Sequence, residues 1–386
     1  VSGELTLSRA QARRIAVRAQ LLDAHRPADL FDVVSQLGFL QYDQTAAVAP
    51  NADLVAWSRL GSSYRSSELT EGLADRTYVE LSGMIRPMDD IPLFRAEMAA
   101  HSARDSQFGS PRAHHWVDAN DRFRQNVLAL LDVDGPLPQS DIPDTSQVPW
   151  GSSGWNNNRN VGTMLECLVV RGEIAVADHD GRERMYDLAH RVYPSEVVPL
   201  ETALRLRAER RLRATGITRQ RTTTRRDPAT RGAPATDRGP ATSPGPATDR
   251  DPAGVGVPAR IEGVRGRWLV DPDQLDRAFE GRTALISPLD RLIFDRKRMA
   301  DLFEFDYNLE MYKPPAQRRW GYFALPILEN DRLIGKLDAT ADRKRGVLRV
   351  DAIHEDAPFS RSTSAAVHRE IQDLARWLHL GLDLPA

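Results

Sequence analysis

A glutamine two residues ahead of an aspartate recurs three times in this chain, as Gln41/Asp43, Gln139/Asp141 and Gln274/Asp276. The pair has a definite chemical use. A carboxylate can orient or deprotonate a water, and it can stabilise positive charge that develops beside it. An amide both donates and accepts, so it can fix that water in place. The first copy follows a glycine placed to end a helix, Gly38, and lies in an extended-looking run, Phe39-Leu40-Gln41-Tyr42-Asp43. On a strand, alternate side chains share a face. Gln41 and Asp43 would then point the same way, roughly 6–7 Å apart, with Leu40 and Tyr42 packing behind them. Spacing alone also admits a plainer reading, in which the two are surface residues or local turn and cap partners.

Other chemistries find less support. His114-His115 has no helical i, i+4 partner and no acidic residue at ligand spacing. The single cysteine, Cys167, excludes an intrachain disulfide and a cysteine zinc site. There is no phosphate-binding P-loop and no dinucleotide glycine fingerprint, so no cofactor is expected. Trp57, Trp268 and Trp320 read as core residues.

The 386 residues are long enough for two to four domains with real cores. No stretch reaches the roughly 18 apolar residues of a membrane helix, and no apolar signal-peptide run opens the chain, so the cytoplasm is the expected address. The net charge of -2 does not suggest a nucleic-acid binder, but its distribution is uneven. Residues 201–226 carry nine arginines against Glu201 and Glu209, and residues 296–349 carry twelve basic residues against eight acidic ones. Local stripes of this kind can hold phosphates, or they can be solvated helix faces. The candidates for phosphate contact are Arg159, Arg296, Lys297, Arg298, Arg318, Arg319 and Lys336.

The elements that must position these residues follow from periodicity. Ser8 and Gln11 have capping-box spacing ahead of a helical face of Ile15, Ala19 and Leu22. Leu30, Val33, Val34 and Leu37 form a second such face, closed by Gly38. A helix is predicted over about 120–132, before the breaker Gly135-Pro136. Asn160 is placed to cap a helix bearing Val161, Met164, Leu165, Leu168 and Val169, which Gly172 ends. Ile174 and Val176 then face Met185, Tyr186 and Leu188 across Asp180-Gly181, a strong hairpin signal. Helices followed at once by a two-stranded wing are the layout of a winged helix-turn-helix, whose second helix enters the major groove. An arginine-rich helix over about 195–214, with a hairpin around Ile261 and Trp268-Leu269-Val270, repeats that layout. The segments Tyr322–Leu328, Leu333–Leu337 and Val347–Ile353 read as a three-stranded meander. A terminal helix follows, with Ile371, Leu374, Ala375 and Leu378 on one face.

Between the arginine-rich helix and its wing, Pro228, Pro234, Pro240, Pro246 and Pro252 recur every six residues, each followed by Ala. From Thr218 to Gly254 alanine is the only apolar side chain, so no core can form there and the tract reads as a disordered insertion. Replacing residues 225–254 by a short Gly/Ser linker is therefore expected to leave the melting temperature nearly unchanged, because loop length costs little. A large drop in a thermal melt would contradict this.

Four blocks resemble the winged-helix crosslink-repair DNA glycosylases, the YcaQ-like and AlkZ-like family. The first is Leu37-Gly38-Phe39-Leu40-Gln41-Tyr42-Asp43 with Leu54-Val55-Ala56-Trp57-Ser58-Arg59-Leu60-Gly61. The second is Arg159-Asn160-Val161, Met164-Leu165-Glu166, Arg171-Gly172-Glu173 and Asp187-Leu188-Ala189. The third is Ser287-Pro288-Leu289-Asp290 with Phe303-Glu304-Phe305-Asp306-Tyr307 and Glu310-Met311-Tyr312. The fourth runs from Arg319-Trp320-Gly321 to Leu328. The segment Phe94–Phe108 departs from the pattern, and so does the proline-rich insertion.

The resemblance implies an α+β fold of tandem winged helix-turn-helix units with a C-terminal antiparallel β-containing domain. The expected divisions are 1–118, a first unit holding the active site; 119–194, a second; 195–300, a third containing the insertion at about 218–256; and 301–386, the meander and helix. It also implies a bacterial, monomeric, monofunctional glycosylase with Gln41 and Asp43 as its catalytic pair. Its partner would be double-stranded DNA carrying alkylated or crosslinked purines, with no membrane and no cofactor. General repair and self-protection in an antibiotic producer both fit. A winged-helix transcriptional regulator is the competing reading, since most winged helices serve regulators. The Gln41-Tyr42-Asp43 block argues against it, as does a C-terminal segment that is neither ligand-sensing nor a dimerisation helix.

Overall fold

The computed structural model describes residues 4–102, 110–151, 159–181, 183–220 and 254–384; the proline-rich tract lies outside these. The fold is mixed α and β. Contacts divide the chain into two compact units, and these cross the four expected segments.

The first unit comprises Val1–Glu71, Ala208–Gln220 and Ala253–Ala386. Its helix Arg9–Ala19 begins with the expected reciprocal capping box between Ser8 and Gln11. Helix Leu30–Leu37 starts where the Asp29 carboxylate accepts the Asp32 N–H, and it buries Leu30, Val33, Val34 and Leu37. Gly38 ends it at φ 73°, a left-handed conformation that favours glycine, and an added Cβ would also press on the Arg291 guanidinium at 3.3 Å. A short strand, Leu40–Gln41, follows, and then helix Asn51–Leu60.

The expected hairpin is present as Val257–Ile261 and Val264–Val270, flanked by Ile217–Arg219. Its other edge is taken by Leu5–Leu7, paired in parallel with Val257–Ile261, a strand too short to show in the sequence pattern. That pairing puts the N-terminus and the segment after the proline-rich tract in one unit, which is why the expected boundaries do not match the contacts. The core here holds Ile15, Ala16, Leu22, Ile217, Ile261, Trp268, Leu292, Leu302 and Phe305.

The expected meander is part of a five-stranded sheet. Leu325–Glu329, Arg332–Asp342 and Val347–Glu355 run antiparallel. Thr283–Leu285 adds an antiparallel edge, and Gly381–Asp383 closes the other edge in parallel. Helix Arg361–Trp377, capped by Ser360, buries Val367, Ile371, Leu374 and Ala375 at helical spacing.

The second unit comprises Gly72–Arg207, with 221–252 outside the described residues. Hairpin Tyr78–Leu81/Met84–Pro87 turns through Ser82 and Gly83, both at positive φ, the backbone that a two-residue hairpin loop needs. Helices Pro92–Ser102, Pro111–Ala119, Asp121–Asp134 and Asn160–Val170 follow, and then hairpin Ile174–Asp180/Glu183–Leu188 with Leu137–Pro138 on its edge. Phe123, Leu131, Met164, Leu165, Leu168 and Ile174 form its core.

One capping expectation is corrected. Arg159, not Asn160, occupies the N-cap position of helix Asn160–Val170, and it makes no side-chain cap bond. The Asn160 amide instead crosses to the preceding loop. It donates to Asp144 and Ser146, both at 2.8 Å, and accepts the Trp150 N–H at 2.8 Å. Three loop partners satisfy a buried amide better than the single bond of a cap.

Candidate active site

The run from Phe39 to Asn51 lies within the first unit and is held at both ends. At its start, Arg291 donates to the Leu37 carbonyl and lies over the Phe39 ring, 4.4 Å from its centroid. At its end stands Asn51, which is 1% exposed. The Asn51 backbone N–H donates to the Asp43 carbonyl at 3.1 Å. Its side-chain Nδ2 donates to the Gln41 carbonyl at 2.8 Å. The Ser287 hydroxyl donates to Asn51 Oδ1 at 2.7 Å. Between these anchors, the Ala341 N–H donates to the Ala47 carbonyl at 2.8 Å.

Leu40 is buried as expected, and Gln41, Tyr42 and Asp43 are half-buried. The Gln41 side-chain oxygen is shielded and accepts no hydrogen bond from the described protein. Buried polar atoms are rarely left so. One Asp43 oxygen accepts the Thr45 N–H at 2.8 Å, a local turn bond of the kind the plainer reading anticipates. That bond orients the carboxylate.

Asp53, one turn into helix Asn51–Leu60, takes a different part. The Tyr64 hydroxyl donates to it at 2.7 Å. Burial pushes its carboxyl above the usual carboxylate range, against the opposing hydrogen bonds from Tyr64 and Ser66. The sequence reading singled out neither Asn51 nor Asp53. Pro50-Asn51 ahead of a helical run signals a helix start and nothing more.

Helix Asn51–Leu60 is itself fixed by a buried ion pair. Arg59 and Asp290 are both fully buried and meet in a two-pronged pair, with Arg59 Nη2 3.1 Å from Asp290 Oδ1. Arg59 also donates to the Gln20 carbonyl at 3.0 Å and to the Ser58 hydroxyl at 2.8 Å. The turn Ser287-Pro288-Leu289-Asp290-Arg291 thus touches the candidate site through three side chains: Ser287 on Asn51, Asp290 on Arg59 and Arg291 on Leu37.

Of the seven predicted DNA-contacting cations, two are corrected, Arg298 and Lys336. Arg298 is 2% exposed and donates to the carbonyls of Thr215, Ile217 and Leu292. Burial lowers its guanidinium to about 10. It is a core arginine that joins a helix to a strand and cannot reach a phosphate. Lys336 is equally buried, with its ammonium 2.6 Å from Asp356 Oδ1 and over the rings of Phe305 and Trp320. Arg296 is half-buried against Tyr307 and donates to the carbonyls of Ile293 and Pro288.

The other five, Arg296 included, keep access to solvent. Lys297, Arg319 and Arg159 are exposed, and Arg318 is half-buried. Arg318 and Arg319 stand on a loop pinned from within by Glu310. The buried Glu310 carboxylate accepts the N–H groups of Arg319 at 2.6 Å and Trp320 at 2.8 Å, and a bond from Lys313 Nζ at 2.7 Å. Trp57, Trp268 and Trp320 are buried, as their spacing suggested. Among the described residues, no cluster of three or more His, Cys, Asp or Glu side chains could hold a metal ion. Among them, too, no helix is long and apolar enough to cross a membrane.

The run thus carries an amide and a carboxylate two residues apart, with the carbonyls of both residues bonded to Asn51. Comparison with known proteins adds the following. A family model described as "DNA glycosylase AlkZ-like" matches residues 34–377. The solved structure of the Streptomyces sahachiroi DNA glycosylase AlkZ is similar, with a TM-score of 0.64 and 16% sequence identity. The alignment covers 99% of this chain and 100% of that one, so the likeness of fold extends over the whole length.

Proposed function

The chain belongs to the AlkZ-like DNA glycosylase family, and on that premise we propose that it hydrolyses the N-glycosidic bond of bulky N7-alkylated purines in duplex DNA, crosslinked purines included, with Gln41 and Asp43 as its catalytic pair. The observation that carries the assignment is the shared backing of Gln41 and Asp43 by one buried residue, together with the shielded, unbonded Gln41 amide oxygen. Alkylation at N7 leaves the purine positively charged, so the glycosidic bond is already primed and needs no strong general acid. The sugar becomes oxocarbenium-like, and a carboxylate near it lowers the energy of that charge. Asp43 would also take the proton of the attacking water, which Gln41 would hold. No lysine lies in the motif to form a Schiff base, so the reaction stops at base release.

The helix–hairpin pairs Asn160–Val170 with Ile174–Leu188, and Leu200–Thr215 with Val257–Val270, support the tandem winged-helix reading. In it, the helix of each pair, as the second helix of its helix-turn-helix, would face the groove. The protein would act as a monomer.

The test is an excision assay on one duplex sequence carrying N7-methylguanine or, at the same position, an unmodified guanine. Free base should be released from the first only, leaving an abasic site and no borohydride-trapped adduct. No release from the alkylated duplex, or a trapped adduct, would contradict the proposal.

With a net charge of -2, grip on DNA must come from local cations, which we place at Lys297, Arg318, Arg319 and Arg159. Contacts to phosphate fix register and carry no base information. Reversing Arg318 and Arg319 to Glu should therefore weaken all duplexes alike and flatten the dependence of affinity on salt. A salt titration on several unrelated duplexes checks this. Preference for one unmodified sequence by more than about a thousandfold would instead fit a specific regulator.

A further inference from the structure

We propose that Asn51, oriented by Ser287, is the positioning residue of this active site: it sets the register of the Gln41–Asp43 run, so that both side chains present the geometry that excision needs. The inference rests on the assignment of Gln41 and Asp43 as the catalytic pair and adds a residue that acts through them.

Carbonyls two residues apart on an extended chain leave the same edge, just as side chains two apart share a face. Asn51 binds both carbonyls on that edge, Gln41 through its side chain and Asp43 through its backbone N–H. A slip of one residue would present the Leu40 and Tyr42 carbonyls instead and turn Gln41 and Asp43 to the opposite face. One buried residue, through its side chain and its backbone N–H together, thereby excludes the register that would destroy the site.

The orientation of the amide is itself fixed. Ser287 Oγ accepts the Leu289 N–H at 3.3 Å, which leaves its hydroxyl proton for Asn51 Oδ1. Asn51 must then turn its Nδ2 toward the Gln41 carbonyl. Ser287 is 1% exposed, so water does not compete for these bonds.

A helix-capping role does not account for the residue. Pro50 occupies the N-cap position, and Asn51 is the first residue of the helix, with its side chain directed back to Gln41. Asparagine is a weak helix former there. Its hydrogen bonds serve the loop and not the helix.

The test is a double-mutant cycle on single-turnover excision of N7-methylguanine from duplex DNA. Asn51→Ala and Ser287→Ala are each introduced into the wild type and into Asp43→Asn, with duplex affinity measured in parallel. Misplacing a reacting group by about an ångström can cost on the order of 10²-fold in rate. We expect Asn51→Ala to slow excision about 10–100-fold and Ser287→Ala to slow it less, both with duplex affinity unchanged. In the Asp43→Asn background, the loss from either substitution should shrink to a few-fold at most, because there is no carboxylate left to position.

A general folding defect would multiply both backgrounds by the same factor, so equal losses would overturn the proposal. So would wild-type rates in both Asn51→Ala and Ser287→Ala. Should Asn51→Ala not fold, Ser287→Ala carries the cycle alone. Full activity in both Asp43→Asn and Gln41→Ala is a different outcome: it removes the site assignment itself, whatever Asn51 does.

Discussion

Asp43→Asn is expected to lower single-turnover excision of an N7-alkylated guanine by about 10²–10⁴-fold, with duplex affinity unchanged within a few-fold. The substitution keeps size and the turn bond from the Thr45 N–H, since an amide oxygen can accept it as a carboxylate does. What it removes is the negative charge and the ability to take a proton. General-base assistance contributes about 10²–10⁴-fold, and a single group placed against transition-state charge about 10²–10³-fold. Neither effect exists in the ground state, so binding is spared and the loss appears in the rate. Gln41→Ala should also slow the reaction, by less, because it removes a water-holding group and no charge. Matched excision and binding measurements on one lesion duplex check both.

The second large effect is on stability. Arg59→Ala or Asp290→Ala is expected to destabilise the protein by about 3–5 kcal/mol, since removing one partner of a buried ion pair leaves the other charge uncompensated. Both side chains here are fully buried, and Arg59 also satisfies the Gln20 carbonyl. The double substitution Arg59→Met/Asp290→Leu should recover much of the loss, because a buried pair replaced by apolar side chains of similar volume is often near neutral. Denaturant unfolding of the three variants measures this. A loss below about 1 kcal/mol for both single substitutions would show that the site's supporting helix is held by other contacts.

These results also mark what the sequence could and could not convey. Elements with strong periodicity were legible. The faces of helices Leu30–Leu37 and Arg361–Trp377, the Ser8 capping box and the turn after Asp180 all lie where pattern and turn chemistry put them. The strand Leu5–Leu7 was not, because its stability comes from pairing with Val257–Ile261, some 250 residues away.

Basic residues misled for a related reason. Arg298 and Lys336 look like surface charge in a string of letters. Only the fold supplies the carbonyls, the Asp356 carboxylate and the aromatic rings that let them be buried. At the site, Gln41 and Asp43 could be picked from two identical spacings elsewhere only through the family resemblance of the block Leu37–Asp43, since Gly135 likewise ends a helix ahead of Gln139. Asn51 could not, because its role depends on a hydroxyl at Ser287, far along the chain.

The central claim is that Gln41 and Asp43 together carry out base excision, and free-base release from an N7-methylguanine duplex tests it most directly. Wild type and the Gln41→Ala/Asp43→Asn double variant should be assayed at saturating enzyme, with the folded state of each verified by its thermal melt. The account predicts rapid release of 7-methylguanine by the wild type, and release by the double variant close to the spontaneous rate. Release by a folded double variant at the wild-type rate would contradict it.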